Sequence, residues 1–365
     1  GLQFIFAIII LREDNLSFLG MGILASLILY YQYSNFSKDK KIKATHIITP
    51  ISLIIGIAYC VQYNYTGRFI FENFSDKIAY FLSLSDYGAK FMFGNIANSD
   101  YFFTDGSTWP GFGFQFGFKV LPTIIFFGGM MSILYYLGIM QKVINSLSKF
   151  MRWTIGTSGA ETLSCSANIF VGQTEAPLLI KPFLNKMTIS ELTTIMVGGF
   201  ATIAGGVLAG YIAMGVPAGH LVAASVMSAP AALVIGKIIF PEKEKSETSG
   251  EAELPNIKVA SNVVEAASNG IIDGLKLAVN VGAMLIGFIA IIAVIDLILN
   301  WLDSIIDGYL LEGIYYQYTA SGLSPASGEF SGYFPGSLQT LFGTLLKPLA
   351  FIMGTPSAET EYVGH

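Results

Sequence analysis

Residues 165–177 read CSANIFVGQTEAP, and LLIKPFL follows directly at 178–184. Three polar side chains, Gln173, Thr174 and Glu175, stand together inside a stretch otherwise apolar enough to enter a bilayer. Gly172 and Pro177 flank the triplet, a placement that stops one helix and starts another. Thr174 is a suitable N-cap for the second piece, and Pro177 is tolerated in its first turn. The reading over 155–186 is therefore a helical hairpin whose tip lies within the membrane. Broken backbone at that depth is stable only where protein or a water-filled cavity surrounds it.

The rest of the chain supports the membrane reading. Of 365 residues 53% are hydrophobic and 12% charged, against about 25% charged in a soluble domain. Uncharged runs long enough for the ~20 residues of a span cover 15–37, 44–67, 120–141 and 277–295. The run 192–236 carries only His220, is long enough for two spans, and turns at GVPAGH, 215–220. The fold class expected is an all-α polytopic protein of the cell membrane, not a β-barrel, whose strands alternate in short segments. The net charge of −5 decides little; the basic cluster KDKKIK, 38–43, is expected on the cytoplasmic side. Two apolar-set cysteines give no disulfide framework, and three scattered histidines give no metal spacing. No phosphate loop, zinc-protease helix or dinucleotide fingerprint is present. Residues 65–94 read as an interfacial helix, 142–153 as a short amphipathic helix, 241–255 as a solvated loop, and 261–276 as an amphipathic helix leading into the span from Leu277.

Two segments align without a gap at an offset of 166, QTEAPLLIKPFLNKM (173–187) and QTLFGTLLKPLAFIM (339–353), with six of fifteen positions identical. Secondary transporters are often built from repeats whose broken helices form the site, so a second re-entrant hairpin is expected near the C-terminal end. An acid at the bilayer centre costs ~2.5–3.5 kcal/mol on insertion scales, which makes Glu175 a functional candidate. With Gln173 it offers the donors and acceptors that read the edge of a planar, heteroatom-rich ligand. GGFATIAGGVLAG, 198–210, is dense in glycine. It has two readings, close helix packing through small residues or local unwinding that frees carbonyls for a cation. Thr202 and Asn168 add oxygens suited to a hard ion such as Na⁺.

GTSGAETLSCSANIFVGQTEAPLLIKPF (156–183), MVGGFATIAGGVLAGYIAMGVPAGHLVAASVMSAPAAL (196–233) and NVGAMLIGFIAIIAVID (280–296) resemble the concentrative nucleoside transporters. The resemblance implies a cation-coupled symporter that imports nucleosides by alternating access, assembled as a homotrimer in the lipid bilayer, with about eight transmembrane helices plus two re-entrant hairpins in an inverted-repeat transport domain. It implies base contacts from Gln173, Thr174, Glu175 and Val207. Na⁺ is implied at Asn168, Val171, Thr202 and Ile203, the valine and isoleucine through their carbonyls. An acidic ribose contact in the second hairpin falls to Gln339 or Glu329. The family's Asn-Glu-Phe motif lies beyond the last residue, so a longer C-terminus is expected, and 13–64 match the family poorly. The order expected is scaffold and interfacial helices at 1–153, first hairpin and transport helices at 154–240, loop at 241–255, amphipathic helix and span at 256–302, and second hairpin at 303–365. Nucleic acid is not an expected partner, and Na⁺ is the coupling ion, with H⁺ as the alternative. A channel would show flux without coupling. A membrane enzyme would need a base, nucleophile or metal set that Glu175 alone does not supply.

Overall fold

The computed structural model describes residues 5, 8–9, 14–39, 45–103, 111–170, 172–173, 176–244, 246, 248, 260–317, 328–357 and 359–360. Val171, Thr174 and Glu175 lie outside them. Twelve helices are used below: α1 Asn15–Asp39, α2 Thr45–Gln62, α3 Gly67–Ser83, α4 Ser85–Phe93, α5 Phe116–Tyr136, α6 Ile139–Ile155, α7 Gly159–Ala167, α8 Ile189–Ala201, α9 Gly205–Ala213, α10 Ala218–Ile239, α11 Val263–Asp303 and α12 Leu338–Ile352. Two three-residue strands, β1 Tyr315–Gln317 and β2 Gly328–Phe330, pair antiparallel. Among the described residues, five helical stretches are long and apolar enough to cross a bilayer: Asn15–Tyr33, Phe116–Tyr136, Ile189–Ala213, Ala218–Ile239 and Val263–Leu310.

The chain forms two compact units, 1–278 and 279–365, and the boundary falls within α11. In the first unit the core surrounds α7, GAETLSCSA, every residue of which is buried. Gly156, at φ 82° in the left-handed region, ends α6 and turns the chain towards Ser158, which opens α7 with a capping box closed by Glu161. Leu163 and Ala167 then pack with Ile144 of α6, Ile195 of α8 and Ile180. Cys165 and Ile169 pack on the other side with Ala229 and Leu233 of α10. In lipid, small residues let backbones approach, and hydroxyls bond back to the turn before. Ser166 Oγ donates to Thr162 O at 2.7 Å, and Ser225 Oγ of α10 donates to Ile169 O at 3.0 Å.

Three sequence readings change. Residues 261–276 and the span from Leu277 form one helix, α11, whose 41 residues are about twice what a span needs; no proline or glycine stop separates them. The segment 65–94 divides at Leu84 into α3 and α4, followed by two 3₁₀ turns, Gly94–Ala97 and Ser99–Tyr101. The loop after α10 is not wholly solvated: Thr248 is buried, and Ser246 and Thr248 both donate to the fully buried Glu191 of α8. Glu191 also closes a capping box with Thr188. Lys237 ties the same region together. Its Nζ donates to Ser190 Oγ at 3.0 Å and lies 3.3 Å from Glu242 and 2.9 Å from Glu161 Oε2. That last contact is off the hydrogen-bond axis, so Glu161 Oε2 is held by charge alone.

A close approach not read from the sequence joins α5 to α11. A Cβ on Gly270 would fall 2.5 Å from Gly128 O, and one on Gly128 would fall 2.7 Å from Gly270 O. Side chains are excluded from this contact by backbone on both sides.

Candidate substrate and cation site

The glycine-dense segment does both things open to it. The helix stops at Ala201, residues 202–204 are extended (Thr202 φ −122°, ψ 158°; Ala204 φ −60°, ψ 137°), and α9 starts at Gly205. Among the described residues, the carbonyls of Thr202 and Ile203 accept no hydrogen bond. The glycines meanwhile pack tightly. A Cβ on Gly205 would fall 2.1 Å from Phe170 O, and one on Gly198 2.8 Å from Cys165 Sγ. The break is thus pressed against the chain just after α7.

Asn168 caps α7 and is 2% exposed. Its Nδ2 donates to Gly198 O at 2.9 Å and to Thr202 Oγ1, while Thr202 Oγ1 donates to Gly198 O at 2.8 Å. The amide oxygen, Oδ1, is buried without a partner. A buried acceptor left unsatisfied costs about 1–3 kcal/mol, and a hard cation satisfies it. An orphaned amide oxygen, a hydroxyl and two free carbonyls beside a helix break make a donor set that fits Na⁺. Among the described residues no three His, Cys, Asp or Glu side chains gather as a metal cage.

A cavity of about 510 Å³ opens beside the break, within the ~300–1,000 Å³ of small-molecule sites. It brings together four residues singled out in the sequence: Gln173, Thr202, Ile203 and Val207. Phe127 and Met131 of α5, Phe170, and Leu277 of α11 complete its walls. These four were not singled out. Only the FFGGMM run at 126–131, with large side chains beside paired glycines, signals that α5 faces a cavity.

The remaining two candidates lie in the second unit. Gln339 stands in the first turn of α12, which Ser337 caps by accepting from Thr340 N at 3.1 Å. Glu329 accepts from Thr340 Oγ1 at 2.8 Å and Gly336 N at 3.2 Å, so its carboxylate holds its own loop. That loop is fixed to one face of α11 and the π-helical turn Ser304–Leu310 after it. Asp296 accepts from Leu338 N (2.8 Å), Asn300 donates to Gly328 O (2.7 Å), Asp303 accepts from Phe330 N (2.9 Å) and Asp307 from Phe334 N (2.7 Å). Steps of four, three and four residues keep all four on one helical face.

A helical membrane protein with a broken span, freed carbonyls and a mostly apolar cavity with a few polar groups at the break is the architecture of a secondary transporter. Comparison with known proteins places it further. Residues 21–96 match the Na⁺-dependent nucleoside transporter N-terminus, 117–218 the nucleoside-recognition "Gate" domain, and 220–365 the Na⁺-dependent nucleoside transporter C-terminus. An uncharacterized transporter of Haemophilus influenzae is 39% identical over 95% of this chain and 74% of its own length. The mouse sodium/nucleoside cotransporter 1 is 37% identical over 91% of this chain and 45% of its own. The structure of CNTnw in an inward-facing substrate-bound state superposes with a TM-score of 0.65 at 37% identity, over 82% of this chain and 64% of that one. The chain therefore spans under half of the mouse relative and just under two thirds of CNTnw. It belongs to the concentrative, Na⁺-dependent nucleoside transporter family. It is a multi-pass membrane protein of a transporter family, not an enzyme.

Proposed function

We propose that this protein imports nucleosides by symport with Na⁺, through a site built at the α8–α9 break. The observation that carries the reading is the buried, unpartnered Asn168 Oδ1 beside Thr202 and its freed carbonyl. Na⁺ is here a transported ion, taken up by Asn168 Oδ1, Thr202 Oγ1 and the carbonyls of Ile203 and Val171. Gln173, Thr174 and Glu175 present donors and acceptors to the nucleobase in place of water, with Val207 packed against its face. A filled cation site fixes the backbone at 202–204, and that backbone lines the same cavity as Gln173 and Val207. Cation and nucleoside then stabilise one another's binding, as any two ligands that order one segment must.

Gln339, in the first turn of α12, and Glu329, engaged with Thr340 and Gly336, are the two ribose candidates. The two polar helix starts are read as paired re-entrant hairpins of an alternating-access carrier. A homotrimer is the assembly that goes with this reading.

Labelled uridine uptake into proteoliposomes tests it, with an inward Na⁺ gradient, with choline replacing Na⁺, and with a pH gradient alone. Saturable uptake that needs Na⁺ is expected. Uptake driven by the pH gradient alone removes Na⁺ from the Asn168 site and leaves the nucleoside site standing. Unsaturable flux without coupling replaces the carrier with a channel.

A further inference from the structure

The turn Gly215–Pro217 joins two consecutive spans, so it lies at a face of the membrane. Around it opens a second cavity, of about 480 Å³, whose polar wall is the face of α3 carrying Arg68, Glu72 and Asp76 at successive helical turns, with His220 of α10 opposite. Arg68 Nε donates to Glu72 Oε1 at 2.8 Å. Asp76 and His220 make no hydrogen bond or ion pair among the described residues. The cavity thus offers a guanidinium donor and two carboxylate acceptors on the α3 face, with an imidazole across from them.

A third cavity, of about 530 Å³, lies along the neighbouring face of α3 and is lined almost entirely by apolar atoms. Ile28 of α1, Leu53 of α2, Ile70 and Phe74 of α3, and Val222 and Val226 of α10 form its walls. Phe71 lines both cavities. The polar cavity meets α10 at 218–220 and the apolar one at 222–227, which puts the apolar cavity roughly 8 Å further along the span at 1.5 Å per residue.

We propose that these two cavities together bind one phospholipid with a primary-ammonium zwitterionic head, of the phosphatidylethanolamine type. The order along α10 is the order of such a molecule: head at the membrane face, acyl chain one to two turns deeper. Arg68 and His220 donate to the phosphate, and Glu72 and Asp76 accept N–H bonds from the ammonium. A choline head carries no N–H and loses the second set. A glycerol head carries no positive charge and meets the two carboxylates at a cost. The apolar cavity takes the chain at about 0.8 kcal/mol per buried CH₂.

Native mass spectrometry of the delipidated, detergent-solubilised full chain tests this, titrated with ethanolamine, choline and glycerol phospholipids of identical acyl chains. One ethanolamine lipid is expected to bind at least tenfold more tightly than the other two. E72Q/D76N changes two exposed side chains, so it leaves the fold intact, and it is expected to bring the three lipids within twofold of each other. A223F fills the apolar cavity and is expected to abolish binding of all three. Equal affinity for the three heads in the unmodified protein overturns the proposal. So does an ethanolamine preference that survives E72Q/D76N. Ethanolamine-lipid binding unchanged by A223F also overturns it, since the chain would then lie elsewhere. The readout is binding, so the result is independent of any transport assay.

Discussion

Replacing Lys237 with Met tests how the polar ends of α7, α8 and α10 are held together. Glu161 is fully buried; its Oε1 accepts from Ser158 N at 2.8 Å, and its Oε2 faces only the Lys237 ammonium at 2.9 Å. Removing one partner of a buried pair costs ~3–5 kcal/mol, because the remaining charge is left uncompensated. The Lys237 side chain is 22% exposed, so water reaches the site, and the loss expected is at the lower end, about 3 kcal/mol. Adding E161Q removes the stranded charge and keeps an oxygen for Ser158 N. The double variant is expected to recover about 2 kcal/mol of the loss. Reversible unfolding in mixed micelles measures all four corners of the cycle. A K237M protein within about 0.5 kcal/mol of the unmodified one, or a double variant no better than the single, would refute the charge-clamp reasoning.

Gly205→Ala places a methyl against the Phe170 carbonyl, which cannot yield, and is expected to abolish uptake. Gly206→Ala meets only the tip of Leu277, 2.9 Å away, and is expected to retain most of it; uptake normalised to surface expression separates the two. Thr202→Val deletes one cation oxygen and is expected to raise the Na⁺ half-saturation about tenfold, which corresponds to ~1.4 kcal/mol. A Na⁺ activation curve unchanged in that variant removes Thr202 from the cation site. Glu175→Gln is expected to impair nucleoside uptake severely with expression intact, and near-normal uptake would take the carboxylate out of the base contact. Burial acts to raise the Glu242 carboxyl, but the Thr188 hydroxyl, the Glu244 N–H and Lys237 outweigh it and hold it below the ordinary 4.5. A depressed carboxyl contributes stability above its unfolded value and loses it as pH falls through the folded one. Deuterium exchange of 241–248, corrected for intrinsic rate, is therefore expected to stay flat from about pH 8 to 5 and to rise below the ordinary carboxylate value. Thr188→Val brings the folded value closer to the ordinary one and is expected to shrink that rise, with faster exchange already at neutral pH.

What could be read beforehand was whatever local chemistry alone dictates. Glycine density marked 198–210 as a segment that either packs closely or unwinds, because no tertiary contact is needed to make GGFATIAGG a poor helix; the position of the break at 202–204 came from the structure. Uncharged runs marked the spans for the same reason. Asn168 and Gln173 were legible as polar side chains in apolar segments and Val207 through the resemblance, and the structure brings Gln173 and Val207 to one cavity with Asn168 bonded to the break behind it. Phe127 and Met131 were not, since large apolar residues in a span look alike whether they face lipid or a ligand. The turn of 241–248 onto Glu191 was hidden by composition: a run of Lys, Glu and Ser reads as solvated unless its buried acceptor, 55 and more residues earlier, is known. The Asp296, Asn300, Asp303, Asp307 series was not read from the sequence. Its partners are backbone N–H groups and a carbonyl, which carry no signature in a sequence.

That series sets an order of events during synthesis. Asp303 and Asp307 are buried against backbone that lies 27 residues further along the chain. At roughly 5–20 residues per second, these acids exist for about one to five seconds with no N–H to receive. The end of α11 cannot settle at its final depth in that interval. The second unit thus carries a timing constraint on its own insertion, written in the distance between each carboxylate and the amide that answers it.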